Sequence, residues 1–215
     1  MKGSATIAMV VLISLGPAAS DSVAERLTFE DVTAATSRPI PTGYGGLTWD
    51  NFWVVNGSVD ARFVGTGYAN GSVSGDYVAF NNIGDPAAVR GDSFTFDSAY
   101  FTSAWRTGLT LEIGGWRGTT QLFATELVLN PTAPAFFSAG WSSLDRLTFR
   151  SSGGVNIGLD QGDGVQFAMD DFTFTDNAAP VPEPASMLLL ATGLAGLGAR
   201  YRQRLGGNRP NGNPE

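Results

Sequence analysis

Cysteine and histidine are both missing from this 215-residue chain, and each absence closes off a chemistry. Without cysteine there are no disulfides, no thiolate metal ligands and no thiol nucleophile. Without histidine the usual general base, the Ser-His-Asp arrangement and the commonest zinc ligand go too. Charge is scarce, at 15% of residues, and leans negative: 13 Lys and Arg stand against 20 Asp and Glu, for a net charge of −7. The only basic cluster lies at the C-terminus, so there is no surface to collect phosphates and nucleic acid is not an expected partner. Gly114-Gly115 and Gly153-Gly154 lack the pattern of a phosphate-binding loop and precede no helical segment, so no nucleotide cofactor is implied.

What is present suits strands. Glycine reaches 28 residues, Ser and Thr are abundant, and no long stretch keeps apolar residues at a 3.6 spacing. Short alternating runs recur instead at 27–32, 47–55, 77–81, 93–96, 109–116, 121–130, 144–150 and 165–174, punctuated by Gly, Asn, Asp and Pro. So many strands need two packed sheets or a closed barrel to bury their inner faces, and the sandwich is the expected choice. The expected fold is all-β: a β-sandwich of jelly-roll type over residues 24–177, flanked by an N-terminal signal helix and a C-terminal membrane helix.

The two ends read as addresses. Residues 1–22 start with Lys2, run through an apolar stretch to Leu15, and reach Gly16-Pro17 and small residues, the layout of a secretory signal peptide. Cleavage after Ser20 or after Ala24 satisfies the small-x-small rule equally. At the other end, a Pro-rich linker over 178–184 contains Pro182-Glu183-Pro184. An uncharged transmembrane stretch follows over 185–199, and a basic tail over 200–215 carries Arg200, Arg202 and Arg204. As a helix the apolar stretch spans about 22 Å, short of a bilayer core of about 30 Å. The arginines favour the cytoplasmic side and so set the β domain outside.

This order of Pro-Glu-Pro, short membrane helix and arginines resembles the PEP-CTERM sorting signal of Gram-negative bacteria. The resemblance implies export machinery and a membrane exosortase as partners, and transient anchoring in the inner membrane through the C-terminal helix. It also implies a destination at the cell surface or outside the cell, linked to exopolysaccharide and biofilm. The chain departs from the family in continuing past Arg204 to Glu215. A simple C-terminal anchor is the alternative reading.

Within the last strand run, Phe167 and Met169 share one parity while Phe172 and Phe174 have the other. A β-bulge at Asp170-Asp171 would turn all four inward. If the terminal strands lie side by side, Glu30 and Asp31 join Asp170 and Asp171 in an oxygen-rich cluster, whose repulsion a structural calcium ion would offset. The arrangement is similar to carbohydrate-binding jelly-roll modules that hold a structural calcium there; ordinary solvated carboxylates are the alternative. The turn Asp160-Gln161-Gly162-Asp163-Gly164 is a weaker candidate.

Flat aromatic faces beside amide side chains are the usual equipment of a glycan site. Trp49, Trp53, Tyr68, Trp105 and Trp116 lie next to turns and are expected to be exposed, with Asn51, Asn70 and Asn82 as hydrogen-bonding companions. Three functions stay open: a surface module that binds polysaccharide, a structural or adhesion protein without a defined ligand, and a glycoside hydrolase using paired carboxylates. For the last, Glu112 and Glu126 fall on adjacent strands, yet each occupies the solvent side of an alternating strand, which favours a non-enzymatic protein.

Overall fold

The computed structural model describes residues 23–32, 36–158, 162–177 and the pair 193–194. The signal segment and the sorting residues Pro182, Glu183, Pro184, Arg200, Arg202 and Arg204 lie outside the described residues. The compact unit Asp21–Ala178 contains β1 (Ala24–Leu27), β2 (Ser37–Pro39), β3 (Thr48–Asp50), β4 (Phe52–Asn56), β5 (Tyr77–Asn81), β6 (Ala87–Ser103), β7 (Arg106–Arg117), β8 (Thr120–Leu129), β9 (Ala135–Asn156) and β10 (Phe167–Asp176). One turn of helix, α1 (Gly67–Asn70), lies between β4 and β5.

The strands form a β-sandwich whose layers share two strands. Hydrogen bonding runs in the order β2-β4-β5-β10-β6-β9-β7-β8, with β1 added to β10 and β3 to β6. All pairings are antiparallel. The second half of β6 and the first half of β9 run with β10, β5, β4 and β2; the first half of β6 and the second half of β9 run with β3, β7 and β8. The crossing between layers coincides with register shifts at Arg90/Phe94, Phe94/Phe96 and Phe96/Ser98, because an extra residue on one strand bends it.

Aromatic side chains fill the space between the layers. Phe52 on β4 meets Phe149 on β9 edge-on, with ring centroids 5.5 Å apart, and Trp49 on β3 meets Phe172 on β10 at 5.3 Å. Phe96, Phe101, Phe149, Phe167 and Phe172 are fully buried, each contributing roughly 1.5–3 kcal/mol relative to exposure. Residues 57–72, with α1, cover the other face of β4, β5 and β10 through a second cluster of Val55, Tyr68, Val78, Phe80, Trp105 and Ala168. That cover explains why β10 is buried on both faces.

The parity break in β10 is resolved as a bulge. Asp171 takes φ 51, the register with β6 shifts between Asp170 and Thr173, and Phe167, Met169, Phe172 and Phe174 are all buried. The terminal strands are neighbours, since Leu27 pairs with Phe172 and Ala24 with Thr175. The first strand ends earlier than its apolar run suggests: Phe29 adopts φ 63 in a turn closed by Val32 N–H to Phe29 C=O, which drops its ring against Trp49. The run 47–55 splits at Asn51, whose positive φ is held by amide bonds to the carbonyls of Asn82, Asp85 and Pro86.

Candidate functional site

The layer of β3, β6, β9, β7 and β8 turns alternate residues outward, and the strand register sorts these into rows. One row reads Glu126, Glu112 and Arg150 across β8, β7 and β9. The next reads Ala124, Gly114, Thr148, Ala88 and Asp50 across β8, β7, β9, β6 and β3. The third reads Gln121, Trp116, Arg146, Arg90 and Thr48. A row of small side chains between two rows of large ones is a trough that crosses the strands. Its cavity measures about 830 Å³. Four inter-strand steps give it a length of about 19 Å.

Local packing fixes the aromatic wall. The Trp116 indole N–H donates to the Thr148 hydroxyl at 3.0 Å, and the Arg146 guanidinium sits 4.9 Å from the ring centroid. A Cβ on Gly114 would come within 2.8 Å of Thr148 Oγ1 and 2.9 Å of Trp116 Nε1, so the bare glycine makes the room the indole uses. At the β3 end Arg90 Nε pairs with Asp50 Oδ2 at 2.5 Å. On the opposite wall Glu112 and Glu126 face each other directly across the β7–β8 ladder, both exposed. Such a like-charge opposition is destabilising by itself.

Three of the four carboxylates expected near the terminal strands gather around the loop before β5. Asp170 is fully buried and accepts from the backbone N–H groups of Val73, Ser74 and Asp171 at 2.7, 2.8 and 2.6 Å. Burial nevertheless raises its pKa to about 6, against the lowering effect of those bonds. Asp171 accepts from the Ser74 hydroxyl at 2.7 Å and pairs with Arg26 at 3.5 Å. Glu30 accepts from the N–H groups of Asp76 and Tyr77. Asp31 turns away to the Tyr44 hydroxyl at 2.7 Å, where burial and the carboxylate raise the tyrosine pKa. Asp170, Asp171 and Glu30 thus brace one loop by accepting from its N–H and O–H groups. Among the described residues no group of three or more His, Cys, Asp or Glu is arranged to hold a metal. In the weaker candidate turn, Asp163 pairs with Arg106 at 2.6 Å, and Asp160 lies outside the described residues.

The aromatic expectation divides. Trp116 is half-buried on the trough. Trp53 is half-buried and packs against the second cluster. The exposure expected of the other three is corrected: Trp49, Tyr68 and Trp105 are 8%, 4% and 5% exposed. Trp49 is locked between the layers with its N–H on the Tyr44 carbonyl, and Tyr68, on the inner side of the 57–72 cover, packs edge-on against Trp105 at 5.4 Å. A turn-adjacent position did not keep them in solvent, because the turns fold back over the sheet. Two of the three amide companions are engaged elsewhere: Asn51 ties its own turn, as above, and Asn70 donates to the Pro131 carbonyl at 2.8 Å.

Sequence reasoning missed Gly114, Gln121, Thr148, Arg150, Asp50 and Arg90. A signal for the floor existed in the small residues Ala88, Gly114 and Ala124 at outward parity, but only the strand register places them in one row.

Residues 180–203 match the PEP-CTERM protein-sorting motif. None of the curated proteins matches this chain. Among solved structures it is similar to a DUF4465 family protein from Bacteroides caccae, at 9% identity over 71% of this chain and 98% of that chain, with a TM-score of 0.51. A DUF4465 family protein from Bacteroides ovatus aligns at 12% identity over 73% and 100% of the two chains, TM-score 0.45. A carbohydrate-binding module from Clostridium perfringens, solved with methyl-galactose, aligns at 9% identity over 70% and 100%, TM-score 0.33. At these identities the likeness concerns the fold alone. The sorting motif makes this an exported, envelope-associated protein, handled by the exosortase system.

Proposed function

We propose that this exported β-sandwich binds a polysaccharide chain in the trough on the outer face of β3, β6, β9, β7 and β8. The observation that carries the reading is the three-row register: a floor of Ala124, Gly114, Thr148 and Ala88 between a wall with Trp116 and Gln121 and a wall with Glu112, Glu126 and Arg150. A polymer of flat rings needs a long, open slot, one aromatic face for its C–H surface and planar polar side chains for its hydroxyls. The volume falls within the range of small-ligand clefts, and the length suits several consecutive rings better than one. Export by a sorting signal supports the reading, because it carries such a slot to the cell envelope.

The test is a titration of the full-length chain in detergent with soluble polysaccharides, comparing it with Trp116→Ala. Saturable binding lost in the variant supports the reading. No saturable binding by the folded wild-type chain leaves a structural or adhesion role.

A second reading attaches to one observation, the direct opposition of Glu112 and Glu126 inside the trough. Two carboxylates flanking a bound chain are the equipment of glycoside hydrolysis. Release of new reducing ends from a bound polysaccharide, abolished by Glu112→Gln with binding retained, would establish it. Binding without turnover makes the trough a holding site.

A further inference from the structure

β8 is the last strand of its layer, and among the described residues no strand pairs with its far edge. Folded proteins ordinarily guard such edges with charge, proline or bulges, since unpaired N–H and C=O groups recruit another strand. β8 has ten residues, no proline and Glu126 as its single charge, and the one register shift of its ladder lies at its start, opposite Gly115 and Trp116. Leu122 and Val128, on its outward face, are 44% and 68% exposed.

The strand has a further property that identifies what covers it. Two apolar pairs of β8 match about Thr125, Phe123 with Leu127 and Leu122 with Val128, while Ala124 stands opposite Glu126 and Gln121 opposite Leu129. In an antiparallel pair, residues directly opposite share a face. A two-fold axis through Thr125 would set Leu122 of one copy against Val128 of the other, covering both exposed apolar side chains. Phe123 would meet Leu127 on the core side, and Glu126 would meet Ala124. Neighbouring registers are worse for stated reasons. Centring on Glu126 opposes two like charges, and centring on Ala124 sets Leu122 against Glu126.

We propose that β8 is the surface through which two copies of this chain associate, antiparallel about Thr125, into one continuous sheet. Both troughs then open on the same side of that sheet, so a single long polymer can engage two sites at once. The pairing itself does not depend on what the troughs bind.

The absence of cysteine makes the test clean, because a single introduced thiol can form a disulfide only between copies. Direct opposition at the axis brings the two Cβ atoms to about 4.5–5.5 Å, from which a disulfide closes with a small backbone shift. In the full-length chain in detergent, oxidised Thr125→Cys runs as a covalent dimer and Ala124→Cys stays largely monomeric. Sedimentation adds an independent readout: Leu122→Lys with Val128→Lys raises the dimer dissociation constant about tenfold or more, and Leu122→Lys with Val128→Glu restores it. A wild-type chain that sediments only as a monomer overturns the proposal, as does a double-lysine variant that still dimerises. Stronger cross-linking of Ala124→Cys overturns the register.

Discussion

The indole N–H of Trp116 on β7 reaches across to the Thr148 hydroxyl on β9 at 3.0 Å, passing over an outward position on β7 that has no side chain, Gly114. The two bonded residues and the bare glycine act as a unit. Trp116→Ala is expected to lower polysaccharide affinity about tenfold or more, the order of a lost aromatic contact, with the far-ultraviolet spectrum unchanged. Gly114→Ala should lower affinity too, by displacing the ring rather than removing it. Calorimetric titration of both variants checks this; unchanged affinity in Trp116→Ala removes the indole from the site.

Asp170 predicts a pH dependence of stability. Its folded pKa of about 6 lies above the ordinary 3.8, so the folded state holds the proton more tightly than the unfolded chain. Its contribution to stability therefore declines as pH rises through about 4 to 6 and is level above that. Urea unfolding between those pH values should show the decline in the wild type and lose it in Asp170→Asn. Asp170→Ala, which strips the acceptor from three backbone N–H groups, should cost about 2–4 kcal/mol at pH 7.

Because Asp170, Asp171 and Glu30 are already satisfied by protein donors, a chelator should leave the thermal midpoint unchanged within about 1 °C. Differential scanning calorimetry with and without EDTA and with added calcium decides it. A rise of several degrees with calcium would bring a structural ion back to the terminal strands.

Burial of Trp105 and Tyr68 makes them stability residues. Trp105→Ala should cost about 3–5 kcal/mol, and Gly67→Ala should be comparably severe because the added Cβ would lie 1.8 Å from the Ser103 carbonyl oxygen. Chemical denaturation reads both. A near-neutral Trp105→Ala would contradict its place under the 57–72 cover.

Much of the fold was legible in local order. Alternation located β5 and β8 to within a residue and β7 to within three, and the parity break between Met169 and Phe172 located the bulge before any partner strand was known. The long β6 and β9 were not legible at their full length, because their apolar faces change sides where the strands cross between layers. The candidate site was legible only in Trp116 and in the Glu112–Glu126 pair.

The sequence by itself determined what depends on composition and spacing along the chain: export by a sorting signal, an all-β core, and chemistry without histidine or cysteine. The tertiary structure alone decided which aromatics face solvent and which small residues line up. Trp105 and Trp116 are the same residue type, and the chain folded over Trp105, at Tyr68 and at Gly162, buries it while Trp116 stays half-buried. Ala88, Gly114, Ala124 and Thr148 lie on four different strands, and they become a floor only because hydrogen-bonded register sets them side by side.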